Sequence, residues 1–273
     1  MTDMDSTIFW DIELHTIKSK QTCIQEEHRH SHHELYFLLD GNARHFINNE
    51  IQEISAGQAV FVWQDYIHKV SYDPEKSAQR LLVSFSTAFI GSEYLPVLRQ
   101  MGKRKFFPLP PDSSAVIKQL LLTLYDEKKK TPEHHLLQCQ NLLRQILILL
   151  SRQTELCPPQ NISQNEAIIQ QAARHISKNY AQPLSLHDLA QMFAMSDCHF
   201  SRTFKLYTGV GVAQYIRHTR LRAAEKLLRQ GDCSVTDVAL ACGFNNSNYF
   251  ICEFKKHRGI TPLQYSLLSK TGD

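Results

Sequence analysis

At 273 residues and 42% hydrophobic, the chain is long enough to bury the cores of two domains. Its longest purely aliphatic run, "ILILL" at 146–150, falls far short of the ~20 residues of a bilayer span, and residues 1–10 carry Asp3 and Asp5 with no basic n-region. The reading is therefore a cytoplasmic protein with no membrane segment. Net charge is +3 but uneven: 13 Lys+Arg face 8 Asp+Glu from Asn161 onward, against 17 and 19 before it. That balance suits a basic nucleic-acid module joined to a near-neutral sensing module. The 7 cysteines (23, 139, 157, 198, 233, 242, 252) form no C-x-x-C pair, so reduced thiols are expected rather than a disulfide framework or a zinc site.

Residues 8 to about 90 read as strands, because short apolar runs alternate with Asp-Gly, Asn-Asn and Ala-Gly turn signals and no 3.6-residue stripe runs through them. An antiparallel sheet or barrel follows. Within it, "HRHSHHELYFLLDG" places His28, His30 and Glu34 at one strand parity, and His68 in "GQAVFVWQDYIHKV" can join them from another strand. The spacings H-x-H-x3-E-x6-G and G-x10-H resemble the two motifs of the cupin family. That resemblance implies a small barrel in which His28, His30, Glu34 and His68 bind a divalent metal, and these ligand types suit Zn, Fe, Mn or Ni. Two alternatives stand beside it: a metal-free pocket lined by the same groups, with no cofactor required, and a solvated histidine-rich turn over 28–33. The aromatic rings of Tyr36, Trp63 and Tyr66 beside His and Glu suit a sugar, flat rings covering C–H faces while polar groups take hydroxyls. The expected effector site is His28, His30, Glu34, Tyr36, Trp63 and His68.

From Ser113 the period changes. "SSAVIKQLLLTLYDEKKK" and "TPEHHLLQCQNLLRQILILLSRQ" read as two amphipathic helices, the second opened by Thr131 as N-cap with Pro132 in its first turn. Leu136, Leu143, Ile146 and Leu150 line one side of the second, either packed on the sheet or forming a dimer interface. "CPPQNISQN", 157–165, reads as a linker. The expected layout is a barrel at 1–110, a helical dimerisation segment at 111–156, a linker at 157–165 and a helical domain at 166–273.

A repeat follows the linker. Asp188-Leu189-Ala190 recurs as Asp237-Val238-Ala239, and Phe200, Phe204-Lys205, Gly209 and Gln214-Tyr215 recur fifty positions on as Phe250, Phe254-Lys255, Gly259 and Gln264-Tyr265. Each copy begins with a serine placed to cap a short helix (Ser185, Ser234), breaks at "AMSD" or "CGFNN", and continues as a helix with phenylalanines four apart. This is helix-turn-helix logic: a bracing helix, a tight turn, and a second helix whose polar side enters the major groove. If the phenylalanines face inward, Cys198, Ser201, Arg202 and Lys205 face outward in one copy, and Asn245, Asn246, Ser247, Asn248 and Lys255 in the other. The connecting "YIRHTRLRAAEKLLRQG", 215–231, is a strong helix former ended by Gly231, a rigid spacer that sets two readers about one helical turn of DNA apart.

The stretch from "PLSLHDLAQMFAMSD" through "SVTDVALACGF" to "YFICEFKKHRGITPLQY" resembles the DNA-binding domain of the AraC/XylS family of transcription regulators over about 100 residues. The resemblance implies base reading by Cys198, Ser201 and Arg202 in the first recognition helix and by Asn246, Ser247, Asn248 and Cys252 in the second, with Lys205, Lys255 and Lys256 nearer the phosphates. Arg202 can pair with guanine O6 and N7 together, or act as a phosphate clamp. Asn248 can read adenine or cap its own helix.

The expected protein is α+β in two domains, a cupin-like antiparallel barrel with a helical dimerisation segment and an all-α double helix-turn-helix. Its expected function is transcription activation on double-stranded DNA as a homodimer, responding to a small molecule and recruiting RNA polymerase, with no enzymatic activity. Two rivals stand beside it: a metal-dependent cupin enzyme using His28, His30, Glu34 and His68, and a regulator whose barrel only dimerises.

Overall fold

Alternating strands become sheets here because each short apolar run is bounded by a residue able to turn the chain. A computed structural model describes residues 8–18, 32–154, 162–231 and 233–270. The strands are β1 (Trp10–Ile17), β2 (His33–Asp40), β3 (Asn42–Ile47), β4 (Glu50–Ser55), β5 (Ala59–Val62), β6 (His68–Tyr72), β7 (Ala78–Phe85) and β8 (Phe106–Phe107). They form two antiparallel sheets, ordered β1-β7-β2-β5-β8 and β4-β3-β6, rather than one closed barrel. The β3–β4 hairpin turns on Asn48 at φ 60°, a conformation asparagine tolerates well. At Gly41, φ is +81° and an added Cβ would sit 2.6 Å from the Ser77 carbonyl oxygen, so only glycine fits.

Strand β2 is buried on both faces, which explains its almost unbroken apolar run. Leu35 and Phe37 face a core completed by the helices, while Tyr36 and Leu38 face Ala43, Ile47, Ile54 and Val70 from the second sheet. The helices of this unit are α1 (Thr87–Ile90), α2 (Leu95–Arg104), α3 (Pro111–Lys130) and α4 (His135–Ser151). Leu143, Ile146 and Leu150 of α4 are fully buried, whereas Leu136, on the same side in the first turn, is half exposed. The expected start of the second helix at Thr131 is also corrected. Thr131 closes α3 in the left-handed region at φ 43°, and α4 begins at His135. Pro132 explains the break, since a residue preceding proline is driven away from helical geometry.

The chain divides between Ile162 and Ser163. The second unit consists of α5 (Gln164–Asn179), α6 (Leu186–Met192), α7 (Asp197–Thr208), α8 (Val212–Gln230), α9 (Val235–Ala241), α10 (Ser247–Arg258) and α11 (Pro262–Lys270). A capping box of Ser163 and Glu166 opens α5. The duplication seen in the sequence is a duplication in space: the Phe200–Phe204 and Phe250–Phe254 rings lie 5.8 and 5.6 Å apart, and Phe204 meets Tyr215 edge-on at 5.4 Å as Phe254 meets Tyr265. The connecting helix α8 ends at Gly231 in the left-handed conformation and buries Leu221, Ala224 and Leu228.

Candidate functional site

Each half of the second unit is a short helix, a tight turn and a longer helix. Ser185 and Ser234 cap α6 and α9 by accepting from the backbone N–H of Asp188 and Asp237, each at 3.1 Å. The turns close alike: Met195 N–H donates to Ala190 O, and Phe244 N–H to Ala239 O, both at 2.9 Å. The phenylalanines of α7 and α10 are fully buried, so the opposite side of each helix is left to solvent.

On α7, Cys198, Arg202 and Lys205 are exposed and Ser201 is half-buried, all four on one face at i, i+3, i+4 and i+7. An Arg202 guanidinium nitrogen lies 2.8 Å from Cys198 Sγ, which holds the arginine along the helix. On α10, Asn248, Cys252, Lys255 and Lys256 are exposed and Ser247 is half-buried. Asn245 and Asn246 precede the helix and are exposed. The cap falls on Asn246, whose side-chain oxygen accepts from Tyr249 N–H at 3.0 Å, and this leaves the Asn248 amide on the open face. Lys256 Nζ is 3.0 Å from Glu253, which also meets Arg217 Nε at 3.2 Å, so that lysine is engaged within the protein. Two exposed side chains outside the sequence-based set share these surfaces, His199 and Tyr249. They occupy equivalent positions in the repeat, and that equivalence was the signal available for them.

The first unit holds a polar group between its two sheets. Glu34 Oε2 accepts from Tyr36 Oη at 2.7 Å and lies 3.1 Å from His68 Nε2, while His68 Nδ1 contacts Tyr66 O at 2.9 Å. The residues Glu34, Tyr36 and His68 are thus brought together. Three residues that sequence reasoning missed complete the group. Arg80 donates to Tyr72 Oη at 2.8 Å and lies 4.9 Å over the Tyr36 ring, and His45 packs edge-on against that ring at 5.2 Å. Burial, and then the Arg80 guanidinium, push the His45 imidazole down to about 3, so the ring is neutral. Its Nδ1 is buried with no hydrogen-bond partner among the described residues. Burial, and then the Glu34 carboxylate, drive the Tyr36 phenol well above its ordinary range.

Trp63 departs from the expected set. It packs on the helix-facing core, edge-on to His33 at 4.8 Å and against Gly102, where an added Cβ would meet its ring at 2.9 Å. Its parity explains this, since Ala59, Phe61 and Trp63 share one side of β5 and its extension while Val60 and Val62 line the interior. His28 and His30 lie outside the described residues. Of the four-residue metal set, Glu34 and His68 come together, and no group of three or more metal-ligating side chains is found among the described residues.

Two helix-turn-helix copies in one unit, each with a polar outer face, in a chain that also carries a two-sheet unit with a polar interior, are the features of a DNA-reading module and a ligand-binding domain. Comparison with known proteins agrees. Residues 189–267 match the helix-turn-helix domain model, and residues 9–147 match the AraC-like ligand binding domain model. The chain belongs to the AraC family of DNA-binding transcription regulators. It is similar to the HTH-type transcriptional activator RhaR of Mannheimia succiniciproducens, 29% identical and covering 87% of this chain and 86% of the relative. It is also similar to the HTH-type transcriptional activator RhaS of Enterobacter sp. (strain 638), 27% identical over 86% of this chain and 85% of the relative. Among solved structures, ToxT from Vibrio cholerae O395 aligns at 12% identity and a TM-score of 0.38 over 97% of this chain and 99% of that one. Among the described residues, no helix is long and apolar enough to cross a membrane.

Proposed function

We propose that this regulator is a cytoplasmic transcription activator whose DNA module is controlled by a neutral, hydroxyl-rich effector, a sugar, held between the two sheets of the first unit. The observation that carries the reading is the buried Nδ1 of His45, a neutral ring nitrogen with no partner among the described residues, in a group that also presents a carboxylate, a guanidinium and two phenols. Leaving a buried polar atom unpaired costs about 1–3 kcal/mol, and a ligand hydroxyl would remove that cost. Glu34, Tyr36, His68, Tyr72 and Arg80 supply acceptors and donors around it. The Glu34 and Arg80 charges offset each other, which favours an uncharged ligand over an anion. No metal cofactor enters this reading. Titration calorimetry of the full chain against mono- and disaccharides tests it: heat with one sugar, lost in His45→Leu, is expected, and no heat with any sugar would overturn it.

The effector acts by binding one arrangement of the protein better than another. In the proposed scheme a homodimer places paired DNA modules on adjacent half-sites and presents a surface to RNA polymerase. The "EFKKHR" segment of α10, with Lys255, Lys256 and Arg258, and the exposed faces of α7 and α10 support the DNA assignment. Arg202, Ser201 and Cys198 in the first recognition helix, and Asn248 and Cys252 in the second, are the proposed base readers. Lys205 and Lys255 lie toward the phosphates, Lys256 beside them would reach a phosphate by exchanging Glu253 for it, and Asn245, Asn246 and Ser247 position the start of α10.

A further inference from the structure

A stiff helix fixes the distance between two readers but not their rotation about its own axis. The first half is attached to the start of α8 through Phe204 against Tyr215. The second is attached farther along, where Glu225 of α8 accepts from His257 at 2.8 Å and from Arg258. Arg217 Nε adds a contact to Glu253 of α10 at 3.2 Å, but like Glu225 it orients the second half on α8 without reaching the first, and apolar packing is non-directional.

One residue closes this gap. Arg220, midway along α8, donates from Nε to Tyr180 O at 2.8 Å and from Nη2 to Gln182 O at 3.0 Å. Both carbonyls belong to the segment leaving α5 and leading into α6, the bracing helix of the first reader, and a cation at a helix C-terminus is electrostatically favoured there. The same guanidinium stands 6.0 Å from the ring of Phe244, in the turn of the second reader. Beside it the two halves touch directly: Gly243 packs so closely on residue 181 that an added Cβ would lie 2.7 Å from the Ala181 carbonyl oxygen. These contacts place the Arg220 cation at the seam between the turn of one reader and the entry to the other.

We infer that Arg220, by tying the Tyr180–Gln182 segment to the Gly243–Phe244 turn, is the positioning residue that fixes the rotation of the two recognition helices relative to each other, and so selects the base-pair spacing between the two grooves one chain reads. Nothing in its geometry points to contact with DNA. The inference rests on DNA reading by both helices and adds what sets their phasing. One inserted base pair turns the second groove by roughly 35° and moves it about 3.4 Å, so a rotationally fixed pair discriminates sharply while a loose pair follows the groove.

The test uses the full chain and a duplex selected by the wild-type chain from a random pool, with variants carrying one base pair inserted or deleted midway between the two protected grooves. The wild-type chain is expected to lose about tenfold or more in affinity on either change. Arg220→Gln is expected to bind the parent duplex more weakly yet lose only about threefold on a spacing change. Equal loss on every spacing, with the discrimination ratio unchanged in a folded variant, would overturn the inference, because a merely structural residue lowers affinity uniformly. Should Arg220→Gln fail to fold by thermal melting, Arg220→Lys, which keeps the charge and one donor, carries the same comparison with the same expected fall in the ratio. Failure of both to fold would overturn the inference by making Arg220 a requirement of the domain itself.

Discussion

Two buried polar residues behave in opposite ways. Burial alone would push the Glu225 carboxyl up, but hydrogen bonds from His257 and Arg258 and their charges hold it at about 2. A carboxyl held below its unfolded value stabilises the fold above pH ~4.5 and loses that contribution as pH falls toward 2. Glu225→Gln is therefore expected to cost about 3 kcal/mol at neutral pH, and in urea titrations its difference from the wild-type chain should shrink steadily below pH 4. Tyr265 of α11, whose hydroxyl accepts from Arg229, faces the same carboxylate and shares this environment. His45 is the reverse case, a buried ring with an idle nitrogen. Replacing it with leucine should leave stability unchanged or raise it by about 1 kcal/mol, since apolar replacement removes an unpaired group. Loss of effector heat alongside undiminished melting temperature would separate ligand binding from folding. At the DNA surface, Arg202→Ala should weaken binding by about 1–3 kcal/mol and relax preference at one base pair, read by competition among single-base variants. Uniform weakening across sequences would assign the side chain to phosphate instead.

At the scale of elements, the helix-turn-helix pair was visible before any coordinates because both its signals are local. A serine three residues before an aspartate caps a helix, and phenylalanines four apart define its inner face, whatever lies elsewhere in the chain. The interior polar group was harder to see. Arg80 and His45 reach the Glu34 group only through pairing, Leu38 opposite Arg80 across β2 and β7, and His45 opposite Val70 across β3 and β6. Register of that kind is a long-range property that alternation does not encode. Trp63 was misplaced for the related reason that β2 and β5 are buried on both sides, so apolar character gives no face. The two turns of the DNA module differ in an instructive way. Ala194, at φ +53°, stands where the second copy has Gly243 at φ +82°. Gly243→Ala should destabilise the domain by at least about 1–3 kcal/mol through left-handed strain and the Ala181 clash. Ala194→Gly should change stability by less than about 1 kcal/mol, because relief of strain is offset by a more flexible unfolded chain. Parallel thermal melts of the two variants check both.

Across the whole chain, the excess of basic residues after Asn161 makes affinity for DNA an electrostatic quantity. Neutralising Lys205 or Lys255 should reduce the slope of log affinity against log salt by about 1 each, measured by fluorescence anisotropy between 50 and 200 mM salt. This compositional asymmetry was apparent from counting alone, whereas the partition of the first unit into two sheets was not, since strand order depends on which edges meet. The α4 stripe resolves in the same manner: Leu143, Ile146 and Leu150 complete the core beneath the sheet, and Leu136 and Leu137 remain exposed. Sedimentation at tens of micromolar reports whether those leucines meet a second copy, with the monomer mass retained by a Leu136→Glu, Leu137→Glu chain if they do.

Equivalent positions on the paired recognition helices carry unlike chemistry: Arg202 in one answers to Cys252 in the other, and Cys198 to Asn248. A reader built from unequal ends gives its footprint a head and a tail. Even one chain, laid along a duplex, therefore points in a direction, and the strand orientation of the sequence it marks decides which way along the chromosome its other surfaces look.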